Sequence, residues 1–175
     1  MATRRERLRT ETIEDIKAAA LRQMVEGGAP ALSLRGVARD IGMSPAGLYR
    51  YYDGIDALLT DLITEAYGDL ADAVETATTV EGDPFDRIRD GIHAYRDWAL
   101  AHPERFLLIF GTPIPGYAAP EEGPTVAANR RLGAALFAVG VEAAADGRLA
   151  VPPLQRPVTP AERAVAEQIG GVAPE

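Results

Sequence analysis

From Leu58 to Val74 an apolar residue returns every four positions, through Leu62, Ala66 and Leu70, with Leu59 and Ile63 beside the stripe. A strand buries alternate residues, whereas a repeat of four lays its members on one face of a helix. Similar stripes run through Ile13, Ile16, Ala20 and Met24, through Phe85, Ile88, Ile92, Tyr95 and Ala99, and through Val126, Leu132, Leu136, Phe137 and Val141. Runs of β-branched residues are few, so the 175-residue chain is expected to be all-α.

Glycine, proline and small polar residues divide these stripes. The first helix is expected over 12–26, stopped by Gly27, Gly28 and Pro30. Ser33 is a candidate N-cap for a second helix carrying Leu34, Val37, Ala38 and Ile41, which Gly42 can end by adopting a positive φ. Ser44 and Pro45 restart a short helix over 45–51, with proline at the first helical position, where its missing N–H costs nothing. Further helices are expected over 53–77, 84–101, 103–110 and 125–145. A proline- and glycine-rich loop spans 111–123. Thr159 and Glu162 have capping-box spacing before a last short helix.

The segment 33–52 reads SLRGVARDIGMSPAGLYRYY. Val37, Ile41 and Leu48 can form a miniature core, and Ala38 is small where two helix axes cross. The outer face of the second short helix is then Pro45, Ala46, Tyr49 and Arg50, flanked by Gly47 and Tyr51. Small residues let a backbone approach base edges, tyrosine hydroxyls bond phosphate oxygens, and arginine pairs with guanine. The same spacing also fits an ordinary αα-hairpin.

Charge separates along the chain in the same sense. Net charge is −8, yet residues 1–52 hold 9 basic and 6 acidic residues while 53–175 hold 9 basic and 20 acidic. A basic head for a polyanion and an acidic body held away from it would give this asymmetry. Residues 1–9 carry Arg4, Arg5, Arg7 and Arg9, contain no core-forming pattern, and are expected to be a flexible basic arm.

These residues resemble the TetR-like one-component regulators of bacteria. An apolar first helix, then L-S-L-R-x-V-A-x-x-I-G-x-S-x-x-x-L-Y-x-Y-Y over 32–52, then x-L-L opening the next helix, is that family's N-terminal signature. The resemblance covers roughly residues 10–65. A looser likeness to one C-terminal subtype runs through Trp98, the sequence HPERFLLIFG and the helix at 125–145. The resemblance implies a helix-turn-helix DNA-binding domain over 10–52 and a helical regulatory domain over 53–175. It implies that Arg35, Pro45, Ala46, Gly47 and Arg50 read bases, and that Ser33, Ser44, Tyr49 and Tyr51 hold phosphates. The family usually has a lysine three residues after the aromatic at Tyr52; Ile55 stands there, so one phosphate contact is missing.

The implied partners are double-stranded operator DNA, a small-molecule inducer and a second copy of the chain. Tyr95, Trp98, Phe106, Phe110 and Phe137 could line the inducer's pocket, although aromatics on helical stripes are more often core. The implied action is a repressor released from its operator by the inducer. Two other classes fit parts of the pattern: a helical small-molecule-binding protein or enzyme that has lost DNA binding, favoured by the acidic bias and Ile55, and a helical interaction adaptor. No catalytic site, metal site or cofactor is expected. There is no cysteine, no G-x-S-x-G, no phosphate-binding loop and no dinucleotide-binding glycine pattern, and neither His93 nor His102 has a second ligand at helical spacing. The lack of cysteine and of an apolar leader or spanning run suits the cytoplasm. Members of the family pair through two long C-terminal helices, and the sequence stops at Glu175 where the first would begin. The expectation is a chain truncated there, or else one that pairs through 125–145 using Leu132, Leu136, Phe137 and Val139.

Overall fold

The first helix starts earlier than its apolar stripe requires. Thr3 Oγ1 accepts from the Glu6 N–H at 3.2 Å, and the Glu6 carboxylate accepts from the Thr3 N–H at 2.6 Å. This capping box satisfies two amide donors that would otherwise be open, so α1 runs Arg4–Gly27. Residues 4–9 are therefore the opening turns of a helix, not the separate flexible arm expected from their composition. Gly28, at φ 74°, closes the other end by donating its N–H to Met24 O.

In the computed structural model, residues 3–120 and 122–148, with 159–160 and 163–164, are described. Among them the regular elements are α1, a 3₁₀ turn at Ala29–Ala31, α2 (Leu34–Asp40), α3 (Pro45–Leu48), α4 (Ile55–Thr78), α5 (Pro84–Ala101), α6 (Pro103–Phe110) and α7 (Pro124–Ala145). The helix expected after Thr159 lies largely outside the described residues. Expected boundaries for α5 and α6 match the observed ones. The third helix is shorter than expected, and 49–51 continue it as turn.

The chain forms two compact units. The first takes residues up to Ala66 together with His102–Pro120, and the second takes Tyr67–Ala101 and the described residues from Glu122 on. The first unit reaches beyond residue 52 because the first half of α4 is tied to α1. Lys17 Nζ lies 2.6 Å from Glu65 and 3.3 Å from Asp61, and Arg105 of α6 meets Glu65 at 3.2 Å. Its core comprises Ile16, Ala19 and Ala20 of α1, Leu34, Val37 and Ala38 of α2, Leu48 of α3, and Leu58, Leu59, Leu62 and Ile63 of α4.

In the second unit α5 packs on α7, and the buried residues include Leu70, Ala71, Val74, Thr78, Pro84, Gly91, Trp98, Thr125, Leu132, Ala135, Val139 and Ala143. The apolar stripe read for α5 is turned relative to its core face. Phe85 is 52% exposed and Ile92 58% exposed, whereas Gly91 is buried. A Cβ at Gly91 would stand 2.7 Å from Thr78 Cγ2, so α5 lies close against the end of α4 there and that edge faces inward. The stripe of α7 is split: its Leu132 is buried, together with Val139 from outside the stripe, whereas its Phe137 and Val141 are exposed. A pairing surface built on Leu132 and Val139 is thereby excluded, since both are core residues of their own unit; the Leu136 side chain lies outside the described residues.

Candidate nucleic-acid interface

Two short helices and a tight turn carry the segment at 33–52. Ser33 Oγ accepts from the Gly36 N–H at 3.1 Å and opens α2. After Asp40 the chain reverses through Gly42 at φ 69°, with the Gly42 N–H donating to Arg39 O at 3.1 Å and the Met43 N–H to Ala38 O at 2.7 Å. A side chain at that φ would clash with its own backbone, which is why glycine occupies the turn. Ser44 Oγ then accepts from the Gly47 N–H at 3.1 Å, and Pro45 takes the first position of α3. Val37, Ala38 and Leu48 are fully buried between the helices.

Packing these inner faces leaves Ser33, Arg35, Ser44, Pro45, Ala46, Tyr49 and Arg50 exposed. The two serine oxygens are occupied as caps, but each hydroxyl keeps its proton to donate to a phosphate. Gly47 faces the other way. It is buried, and a Cβ there would lie 3.0 Å from Met43 Cγ and 3.2 Å from Ser44 Oγ. It contributes close packing of the turn rather than part of the outer surface. Tyr51 is half-buried, and the Arg9 guanidinium lies 5.0 Å from its ring centroid. Ile55 is the first residue of α4 and is half-buried.

Two features were not read from the sequence. Arg4, Arg5, Arg9, Thr12, Arg50 and Tyr51 line one cleft of about 590 Å³. The T-x-x-E spacing at Thr3–Glu6, which extends the helix, was the available signal. The other feature is a polar cluster behind α3. Tyr52 is 7% exposed and its hydroxyl donates to Asp61 at 2.5 Å, beside Lys17. Burial, the bond to Asp61 and the nearby carboxylates push the phenol well above its ordinary value. Burial pulls the Lys17 ammonium down, but Glu65 and Asp61 outweigh it and hold its pKa above the ordinary value.

The five aromatics expected at a ligand pocket are divided between the units. Phe106 and Phe110 belong to the first, their ring centroids 5.1 Å apart, and Tyr95, Trp98 and Phe137 belong to the second. Trp98 is 8% exposed and Phe137 59% exposed. A cleft of about 540 Å³ in the first unit is lined by Met24, Val25, Pro30, Leu107, Leu108 and Pro113, among others, and by none of the five. Among the described residues no helix is long and apolar enough to cross a membrane.

Residues 16–62 match the sequence profile of bacterial regulatory proteins of the tetR family, and residues 88–173 match that of the tetracyclin repressor-like C-terminal domain. Over 120 residues the chain is 42% identical to the HTH-type transcriptional regulators Rv1816 of Mycobacterium tuberculosis and Mb1846 of Mycobacterium bovis, covering 67% of this chain and 51% of each relative. It thus spans about half the length of these curated relatives. It is similar in structure to SCO4313, a protein assigned a regulatory role, at 39% identity and a TM-score of 0.71, covering 83% of this chain and 72% of that one. The fold also matches PfmR, a TetR family transcriptional regulator from Thermus thermophilus, at 24% identity and a TM-score of 0.65, covering 87% and 80% of the two chains.

Proposed function

The chain belongs to the TetR family of bacterial regulatory proteins, and from that membership we propose that it binds double-stranded operator DNA by setting α3 in the major groove. The observation that carries this reading is the capped α3, whose exposed Pro45, Ala46 and Tyr49 stand beside turn residue Arg50 while Leu48 anchors it from behind. Pro45 and Ala46 let the helix come close to base edges. Arg35 is exposed at the start of α2 and ion-pairs with no carboxylate among the described residues, which leaves its guanidinium available for the two acceptors of a guanine. Ser33, Ser44 and Tyr49 have hydroxyls to donate to phosphates, which fix register without reading sequence.

The reading extends to a homodimer acting as a repressor that a small molecule releases. Two recognition helices about 34 Å apart require two copies of the chain. The match of residues 88–173 to a tetracyclin repressor-like C-terminal domain supports a ligand-responsive second unit. The exposed Phe137 and Val141 of α7 supply apolar surface for pairing.

The test is fluorescence anisotropy of the chain against duplex fragments from upstream of its own gene, with a random duplex of equal length at the same salt. Preference for one palindromic fragment by a factor of about 10³ or more would support the reading. Equal affinity for all duplexes, or none, would overturn it.

A further inference from the structure

We propose that the opening turns of α1 and the turn after α3 form one seat for DNA backbone phosphates, built from Arg4, Arg5, Arg9 and Arg50. This deepens the DNA-binding reading and rests on it.

The capping box fixes the geometry. Because α1 begins at Arg4, Arg4 and Leu8 fall on one helical row and Arg5 and Arg9 on the next, and these rows line the 590 Å³ cleft. Arg50 and Tyr51 line the same cleft. The guanidinium of Arg9 lies over the Tyr51 ring at 5.0 Å, a cation–π contact that ties α1 to the recognition segment and holds one cationic group in place. Tyr51 is on this account a positioning residue rather than a phosphate ligand.

Charge supplies a second, independent observation. None of Arg4, Arg5, Arg9 and Arg50 ion-pairs with a carboxylate among the described residues, and all four are exposed. Arg39, Arg87, Arg89, Arg96, Arg105, Arg131 and Arg148 each have a carboxylate partner, and Arg7, Arg22, Arg35 and Arg130, which also ion-pair with none among the described residues, do not line the cleft. In a chain of net charge −8, four arginines without a counter-ion converge on one cleft, and no acidic residue lines it. Their mutual repulsion is relieved when an anion enters. The occupant is DNA rather than a free nucleotide for two reasons. The cleft is continuous with the proposed reading surface through Arg50, and four cations along one cleft, Arg9 among them held against Tyr51, suit consecutive diesters along a strand. Arg50, expected from family resemblance to read a base, is assigned here to phosphate.

Phosphate contacts carry no sequence information, and each one lost flattens the slope of log K against log salt by about 0.9. The experiment measures that slope over a roughly sixfold range of salt around the physiological value, for the preferred fragment and for a random duplex, with the whole chain. R4A/R5A is expected to weaken both duplexes by one common factor and to flatten the slope by about 1–2, with R4K/R5K restoring it. R50A is expected to do the same, flattening the slope by about 1 and leaving the ratio between duplexes unchanged. Y51L keeps every charge but frees Arg9, so affinity falls while the slope holds. An R4A/R5A slope equal to that of the wild type overturns the proposal, as does R50A losing the preferred fragment alone. Inorganic phosphate or a nucleotide that displaces DNA beyond chloride of matched ionic strength would assign the cleft to a free anion and overturn it too. A wild type that binds neither duplex removes both this inference and the reading beneath it, whereas a wild type that binds beside an unaltered R4A/R5A removes the inference alone.

Discussion

The hydroxyl of Tyr52, the last residue before α4 begins its run-in, donates to Asp61 two turns into that helix at 2.5 Å, and Lys17 of α1 closes on the same carboxylate at 3.3 Å. The recognition segment is thereby joined at its C-terminal end to α4 and α1 by a partly buried polar cluster. Hydrogen bonds to a charged acceptor are worth more than neutral ones, and the remaining exposure of Asp61 discounts this one. Tyr52→Phe should destabilise the chain by about 1 kcal/mol, since the ring still fills its place and only the bond is lost. Urea denaturation followed by circular dichroism measures this; an unchanged midpoint would mean the bond contributes nothing net.

The same cluster predicts an alkaline limit. The pKa values of Tyr52 and Lys17 are both raised in the folded state, from ordinary values of 10.0 and 10.5. Groups raised on folding hold their protons longer than in the unfolded chain, so their stabilisation is complete below about pH 10 and fades as pH rises toward the folded values. Stability should fall from about pH 10 upward, and Tyr52→Phe should make that fall shallower. Denaturant titrations from about pH 8 to about pH 11.5 read the slope directly, and parallel curves for the two proteins would count against the assignment to Tyr52.

Gly91 tests the packing of α5. A Cβ there would lie 2.7 Å from Thr78 Cγ2, closer than packed atoms allow. Gly91→Ala gains about 1 kcal/mol of helix propensity but forces the helices to shift, at a cost of about 1–3 kcal/mol, so a net loss is expected. Thr78→Ser removes the obstructing methyl and keeps the hydroxyl that donates to Val74 O at 2.9 Å. In a double-mutant cycle the two changes together should be less destabilising than Gly91→Ala alone.

Arg35 and Tyr49 should part company in binding assays. Arg35→Ala is expected to lose about 1–3 kcal/mol of discrimination at the preferred operator while keeping most of its affinity for random duplex. Tyr49→Phe should weaken both alike. Competition between the two duplexes at fixed salt gives the ratio, and a ratio that Arg35→Ala leaves untouched would remove Arg35 from the base-reading set.

Local interactions made much of the architecture readable in advance. Ser33, Ser44 and Pro45 start helices through hydrogen bonds and a φ set within three residues. Gly42 ends one through a conformation only its neighbours influence, and the unbroken stripe from Leu58 to Val74 is buried along its length. Even the early start of α1 was written in Thr3 and Glu6, though composition pointed to a free arm. Other features needed the tertiary structure, because they depend on what a helix meets. The inward edge of α5 is the one that meets Thr78 and Val74 of α4, so glycine at 91 is buried while Phe85 and Ile92 face out, against their hydrophobicity. Which arginines lack a carboxylate, and that Arg9 reaches the distant Tyr51, depend on distances between separate helices. Capping and backbone torsion act within a turn of chain, whereas close approach and charge pairing act through space.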